Sequence, residues 1–485
     1  MSYHSPQWPF VDAMKSSRVN SRGYPWNLEG DGPEPPLDPQ GYPVGLADGQ
    51  VATTYTLIGG GPTGRYVVLF EGAGEVEVRW DGGRARHAAA GGRRARFTAD
   101  VDSLRKGLTV RITRSSPDDH VRGLRVLMPG FEATHEAEPF HPLFLERLAP
   151  FSTLRFMDWG ETNHSPVTSW SERRRPDHRS QHGPAGVAYE VMVDLCNRTG
   201  KHMWVCVPHR ADDDHVRRLA ALLAERLDPA LTLYVEYSNE VWNGVFGQHR
   251  DVKAAARGEG CEWFERQARR SAEVFDLFEQ ALGGRDRLVR VLGSHAANPD
   301  LSARLIAALP RPDAADALAI APYFGGRLGG AAAWQTTRGW SVDQVLDACA
   351  ADLARQRDLI ARQRAVAERA GLALVAYEGG QHLVGVGKAV DDDALTDLFV
   401  RANRHPRMRE LYLRHLADWR EAGGGLFVHF SSVYAPQKWG CWGSLERQDA
   451  DPDAAPKYSA LAAVAREWAA AAGRAGAGAT DGGTR

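Results

Sequence analysis

Two glutamates in this 485-residue sequence stand where a pair of carboxylates could work together. Glu240 closes the run TLYVEYSNE (232–240), and Glu378 lies in LALVAYEGG (372–380). Each run reads as a short apolar strand that ends in polar residues. If both strands belong to one parallel barrel, both glutamates face its mouth, because catalytic groups gather at the C-terminal strand ends. Such a pair can cleave a glycosidic bond: one carboxyl protonates the leaving oxygen, the other attacks the anomeric carbon, and water then frees the sugar. Retention of configuration needs the two about 5 to 5.5 Å apart. The acid also needs a raised pKa, from an apolar wall or a nearby negative charge. Trp242 and Glu378 could supply these to Glu240. The two glycines after Glu378 leave room for a substrate to approach the backbone.

Other polar and aromatic residues fall at the same ends. The second strand runs into Asp158, Trp159, Glu161 and Asn163, the third into His209, and the fourth carries Asn239 just before Glu240. His295 ends the fifth strand and Tyr323 the sixth, His382 follows the seventh, and His429 lies in the eighth with Trp439 and Trp442 beyond it. Trp159, Trp242 and Trp439 are candidates for stacking on a sugar ring, whose apolar face matches an indole. Asp158 and Glu161 could bind hydroxyls or cap a loop. Glu236 lies on the same strand face as Glu240 but a layer deeper. Buried there it needs a cation, and Arg155 is placed to be one, so Glu236 is expected to be structural. No His or Cys pair has metal-ligand spacing, and neither a metal nor a cofactor is expected.

These residues need a scaffold. Residues 1–45, rich in Pro, Gly and Trp, read as an extended arm. From 46 to 120, short alternating runs such as GRYVVLFEG and GEVEVRW predict a small antiparallel β domain. From 121 to 472, strand–helix alternation predicts eight parallel strands: 123–130, 153–160, 202–209, 232–240, 288–295, 317–324, 372–380 and 425–432. The expected fold is therefore α/β, a (β/α)₈ TIM barrel with a small N-terminal antiparallel β domain. Residues 473–485 are rich in Gly, Ala and Thr and read as a disordered tail.

Asn239-Glu240 after the fourth strand, with a lone glutamate after the seventh, resembles the clan A glycoside hydrolases. The resemblance covers about 120–470. It implies that Glu240 is the general acid/base, that Asn239 binds the sugar 2-hydroxyl and that Glu378 is the nucleophile. It further implies that Tyr323 hydrogen-bonds the nucleophile, that Trp439 floors the subsite at the cleavage point, and that His209 and His295 bind sugar. The strings FMDWGETN, PHRADDD and YVEYSNEVWN are also similar to bacterial proteins labelled cellulose- or carbohydrate-binding. The expected activity is retaining hydrolysis of β-glycosidic bonds in a glucan-like oligo- or polysaccharide. The alternative is a barrel that binds carbohydrate without cleaving it.

Bulk properties narrow the partners. A formal net charge of −2, with 25% charged residues, gives no electrostatic support for nucleic acid or an anionic membrane. Five scattered cysteines argue against a disulfide framework. The start, MSYHSPQWPFVDAMK, has neither a basic n-region nor an apolar h-region. The chain is expected to be cytoplasmic as written, or secreted if a leader has been removed. The oligomeric state is left open.

Overall fold

The computed structural model describes residues 5–18 and 24–480, with side chains to residue 471. The chain divides into two compact units. The first holds 1–147, 158–161 and 171–195, and the second 148–157, 162–170 and 196–485.

The first unit is built on two antiparallel sheets. One runs in the order β1 (Asn27–Glu29), β2 (Val51–Thr56), β7 (Leu108–Ser115), β4 (Ala73–Trp80), β5 (Gly83–Ala90). The other places β3 (Gly64–Glu71) between β6 (Ala95–Val101) and β8 (Arg122–Leu127). Their inward residues alternate along the strands, as a half-buried sheet requires. Val76, Val78, Val110 and Ile112 of one sheet and Tyr66, Val68 and Phe70 of the other fill one core. The first 45 residues, read as an arm, contribute β1 to this sheet and Trp8, Met14, Trp26 and Tyr42 to this core.

β8 corrects one expectation. The run 123–130 was to open the parallel series, yet it lies antiparallel to β3, with Val68 opposite Val126. Leu124 and Val126 point into the same core as Val68, so their period-2 pattern finds its partner face there.

In the second unit six strands form one parallel sheet: β9 (Thr153–Arg155), β10 (His202–Val207), β11 (Leu233–Tyr237), β12 (Leu288–Gly293), β13 (Ala317–Ile320) and β15 (Ala373–Ala376). Each pairs in parallel with the next. Beyond the ends of β13 and β15, the short β14 (Tyr323–Phe324) and β16 (Gly380–Gln381) pair as well. Amphipathic helices connect the strands and are capped as their sequences ask. Asp212 accepts from His215 N at the start of Asp213–Arg226, and Ser341 with Gln344 forms a capping box before Val342–Arg369.

A closed eight-stranded barrel is not formed among the described residues. Segment 425–432, expected as the eighth strand, meets β15 only through Gly425 N to Leu374 O, Ala376 N to Leu426 O and Val428 N to Ala376 O. Its later backbone groups bond instead to the loop at 442–445: Ser431 N to Trp442 O, Ser444 N to Ser431 O and Leu445 N to Ser432 O. Those groups are therefore satisfied without a ladder to β9. Of the segment 473–485, residues 473–480 continue the terminal helix Pro456–Thr480, as their alanines allow, and 481–485 lie outside the described residues.

Candidate active site

Glu240 sits just past β11, on backbone that has left strand geometry. Ser238 has φ of 62° and Glu240 φ of 41°, both left-handed and both unusual for residues with a Cβ. Each such conformation costs on the order of 1–3 kcal/mol and persists only where surrounding structure enforces it. The alternation that placed Glu240 directly above Glu236 therefore stops at Tyr237. Both carboxylate oxygens of Glu240 are held: Oε1 accepts from the Tyr377 hydroxyl at 3.0 Å and Oε2 from the Asn243 amide at 2.9 Å. Burial pushes the Glu240 carboxyl up from its ordinary pKa, and the neighbouring charge of Glu236 adds to this. The bonds from Asn243 and Tyr377 and the charge of Arg155 oppose it without reversing it.

Glu378 lies just past β15 and is held differently. Arg155 Nη1 donates to Oε1 and the Tyr323 hydroxyl to Oε2, each at 3.0 Å. Tyr323 reaches it because β14 pairs with β16 immediately after the glutamate. Burial raises the Tyr323 pKa well above the usual phenol range, and the charges of Glu378 and Glu240 add to the effect. The hydroxyl therefore stays protonated and serves as a donor, within the field of both carboxylates.

Arg155, at the end of β9, is the hub. Its side chain is 2% exposed, and it also donates Nε and Nη2 to Glu236 Oε2, at 3.2 and 2.8 Å, and Nη2 to Asn239 Oδ1 at 2.8 Å. Glu236 Oε2 accepts further from Trp204 Nε1 at 3.0 Å. A buried carboxylate with a cation and an indole N–H on one oxygen is a structural group. Asn239 Nδ2 in turn donates to Asn163 Oδ1 at 3.0 Å, and Gln248 Nε2 donates to that same oxygen at 2.7 Å. Asn239 and Asn163 thus lie in one network with Arg155.

Aromatic residues flank the carboxylates. Trp242 meets His295 at a 40° tilt, with centroids 4.2 Å apart. Tyr323 meets Trp442 at 5.8 Å, and Trp442 meets His382 at 5.1 Å. Trp439, the sequence candidate for the sugar floor, is 49% exposed beneath Lys438, while Trp442 is the tryptophan in contact with Tyr323.

Three other candidates have partners elsewhere. His209 Nε2 donates to Asp251 Oδ2 of the following helix, at 2.8 Å, and burial lowers its pKa. Trp159 is buried in the first unit between Phe10 and Phe144, and Asp158 falls in that unit too. The glycines after Glu378 make room for protein: a Cβ on Gly379 would lie 2.4 Å from the Phe427 ring, and one on Gly380 2.7 Å from the Tyr412 hydroxyl. The residues that sequence reading missed are Tyr377, Asn243 and Trp442 as contacts, and Arg155 as a ligand of Glu378. Only adjacency to the two glutamates could have pointed to Tyr377 and Asn243.

Among the described residues, no group of three or more His, Cys, Asp or Glu side chains could hold a metal ion, and no helix is long and apolar enough to cross a membrane.

No family model matches the chain, and no curated protein matches it. Solved structures do. A 4-O-α-L-rhamnosyl-β-D-glucuronidase from Fusarium oxysporum is 10% identical with a TM-score of 0.41, over 66% of this chain and 63% of that one. The N-terminal modules of an endo-1,4-β-D-xylanase from Clostridium thermocellum, complexed with xylohexaose, are 10% identical with a TM-score of 0.40, over 96% and 98%. A β-glucuronidase from Bacteroides uniformis is 11% identical with a TM-score of 0.39, over 86% and 48%. The chain spans less than two thirds of the first and third of these.

Proposed function

We propose that the protein is a retaining glycoside hydrolase that cleaves β-glycosidic bonds in a glucan-like oligo- or polysaccharide. The observation that carries this reading is the unequal treatment of two carboxyls in one site. Glu378 is ion-paired with Arg155, and Glu240 is half-buried with only neutral donors on its oxygens. Tyr377, the residue before Glu378, bonds to Glu240 at 3.0 Å and so keeps the two groups in one place.

In the first step the protonated Glu240 gives its proton to the leaving glycosidic oxygen while a Glu378 oxygen bonds to the anomeric carbon. Arg155 and Tyr323 fix the attacking carboxylate, and Trp442 packs against Tyr323. In the second step Glu240, now a carboxylate, takes a proton from water. The water oxygen bonds to the anomeric carbon, and Glu378 leaves with the bonding electrons. Two inversions give net retention.

The test is a panel of aryl β-glycosides and β-glucans, with Glu240→Gln and Glu378→Gln beside the wild type. The expected result is turnover that each substitution reduces by at least about a thousandfold, with β-configured product by NMR. Wild-type turnover no greater than that of the variants, with glycan binding retained, would assign a carbohydrate-binding role instead. Inverted product would overturn the mechanism.

A further inference from the structure

Tyr377 does more than hold two glutamates near each other. Its ring lies over the Arg155 guanidinium, 5.1 Å from the centroid, and Arg155 binds Glu378. Its hydroxyl donates to Glu240 Oε1 at 3.0 Å. Its backbone N bonds to Ile320 O of β13, so the ring springs from the sheet and not from a loose loop. The side chain is fully buried, and its position in the chain is directly before Glu378.

Resting on the proposed hydrolase reading, we infer that Tyr377 is a positioning residue for the second half of the reaction, stabilising Glu240 as the base that activates water. A hydroxyl donates more strongly to a carboxylate than to a carboxylic acid. The acid step requires Glu240 to carry its proton, and at that stage the bond is an ordinary neutral one. Once Glu378 is esterified its negative charge is gone, and the proton of Glu240 has left with the aglycone. The Tyr377 bond to Oε1 is then charge-assisted, at the stage when Glu240 must accept a proton from water. The phenol can serve in this way because burial, with Glu240 and Glu378 nearby, holds its pKa well above the usual range, so it does not ionise. The groups that act on Glu240 are Arg155, Glu236 and Tyr377, with Tyr323 in its field and the Asn243 amide on the other oxygen.

The test uses Tyr377→Phe in the full chain with a dinitrophenyl β-glycoside, whose aglycone departs without acid assistance. Formation of the glycosyl-enzyme should be nearly unchanged, so kcat/KM should stay within about twofold. Its hydrolysis should slow by roughly tenfold, the effect of losing one hydrogen bond to a charged group. Both kcat and KM should therefore fall together, with a burst of dinitrophenolate. For a substrate with a poor leaving group, the basic limb of kcat/KM should move up by about one pH unit, because Glu240 loses a donor that favours its ionised form. A merely structural loss would lower kcat/KM on both substrates and leave the limb in place, and that result would overturn the inference. Failure of the hydrolase reading itself is separately visible, since wild type would then release no aglycone. Carboxyl NMR titration of ¹³C-labelled Glu240 would still report whether Tyr377→Phe raises its pKa, and no change would overturn the hydrogen bond's role outright.

Discussion

Replacing Arg155 by methionine is expected to be among the most damaging single changes in the second unit. The side chain is 2% exposed, and so is that of Glu236, while Glu378 is 8% exposed. Arg155 donates four hydrogen bonds, two of them to Glu236 and one each to Glu378 and Asn239. Methionine fills much of the volume but takes the Arg155 charge away from two buried carboxylates. Breaking a buried ion pair in this way costs about 3–5 kcal/mol, a large part of the roughly 5–15 kcal/mol that separates folded from unfolded protein. The assay is equilibrium urea unfolding followed by tryptophan fluorescence, on four proteins: wild type, Arg155→Met, Glu236→Gln and the double variant. The two changes should be strongly non-additive, with Arg155→Met costing at least about 1.5 kcal/mol less once Glu236 has lost its charge. Additive costs, or a loss below about 1 kcal/mol for Arg155→Met alone, would refute the view that this guanidinium is the counter-charge of the buried carboxylates.

Further outcomes follow from single contacts. Trp442→Ala should raise KM for glycosides several-fold through lost contact with Tyr323 and His382, whereas Trp439→Ala should change it less than twofold for small aryl substrates; steady-state kinetics separates the two. Gly379→Ala should destabilise by about 1–3 kcal/mol, read as a fall in the urea midpoint, because its Cβ would meet the Phe427 ring at 2.4 Å. Burial pushes the His415 imidazole down to about 4. In the unfolded chain it binds a proton near pH 6.5, so its neutral folded form contributes stability that is complete above pH 6.5 and lost as pH falls towards 4, up to about 3 kcal/mol. His415→Gln should flatten the urea midpoint over that window, and an unchanged slope would exclude this residue as the cause.

Much of the second unit was legible because its signals are local. The strands at 153–155, 202–207, 233–237, 288–293, 317–320 and 373–376 are short apolar runs between amphipathic helices, and a parallel sheet buried on both faces needs such runs. The eighth run, 425–432, has the same composition and its first residues pair with β15, yet the backbone of Ser431 and Ser432 bonds to the loop at 442–445. The first, 123–130, alternates as β8 does, and an alternating run does not say which sheet will receive it. Trp159 looked like a rim residue by its place after a strand, but Phe10 and Phe144, distant in sequence from one another, enclose it.

By itself the sequence determined that Glu240 and Glu378 end strands of one β/α series, and that Glu236 needs a cation. Residue type and period suffice for this, since a buried charge and a strand end are properties of a few consecutive positions. Only the tertiary structure decided which groups hold each glutamate. Arg155 Nη1 reaches across 223 positions of chain to Glu378, and the Tyr377 hydroxyl across 137 to Glu240. Contacts at such separations follow from the register of a sheet and the direction of side chains above it. The difference in environment between the two carboxyls, on which the proposed chemistry depends, is therefore a property of the fold.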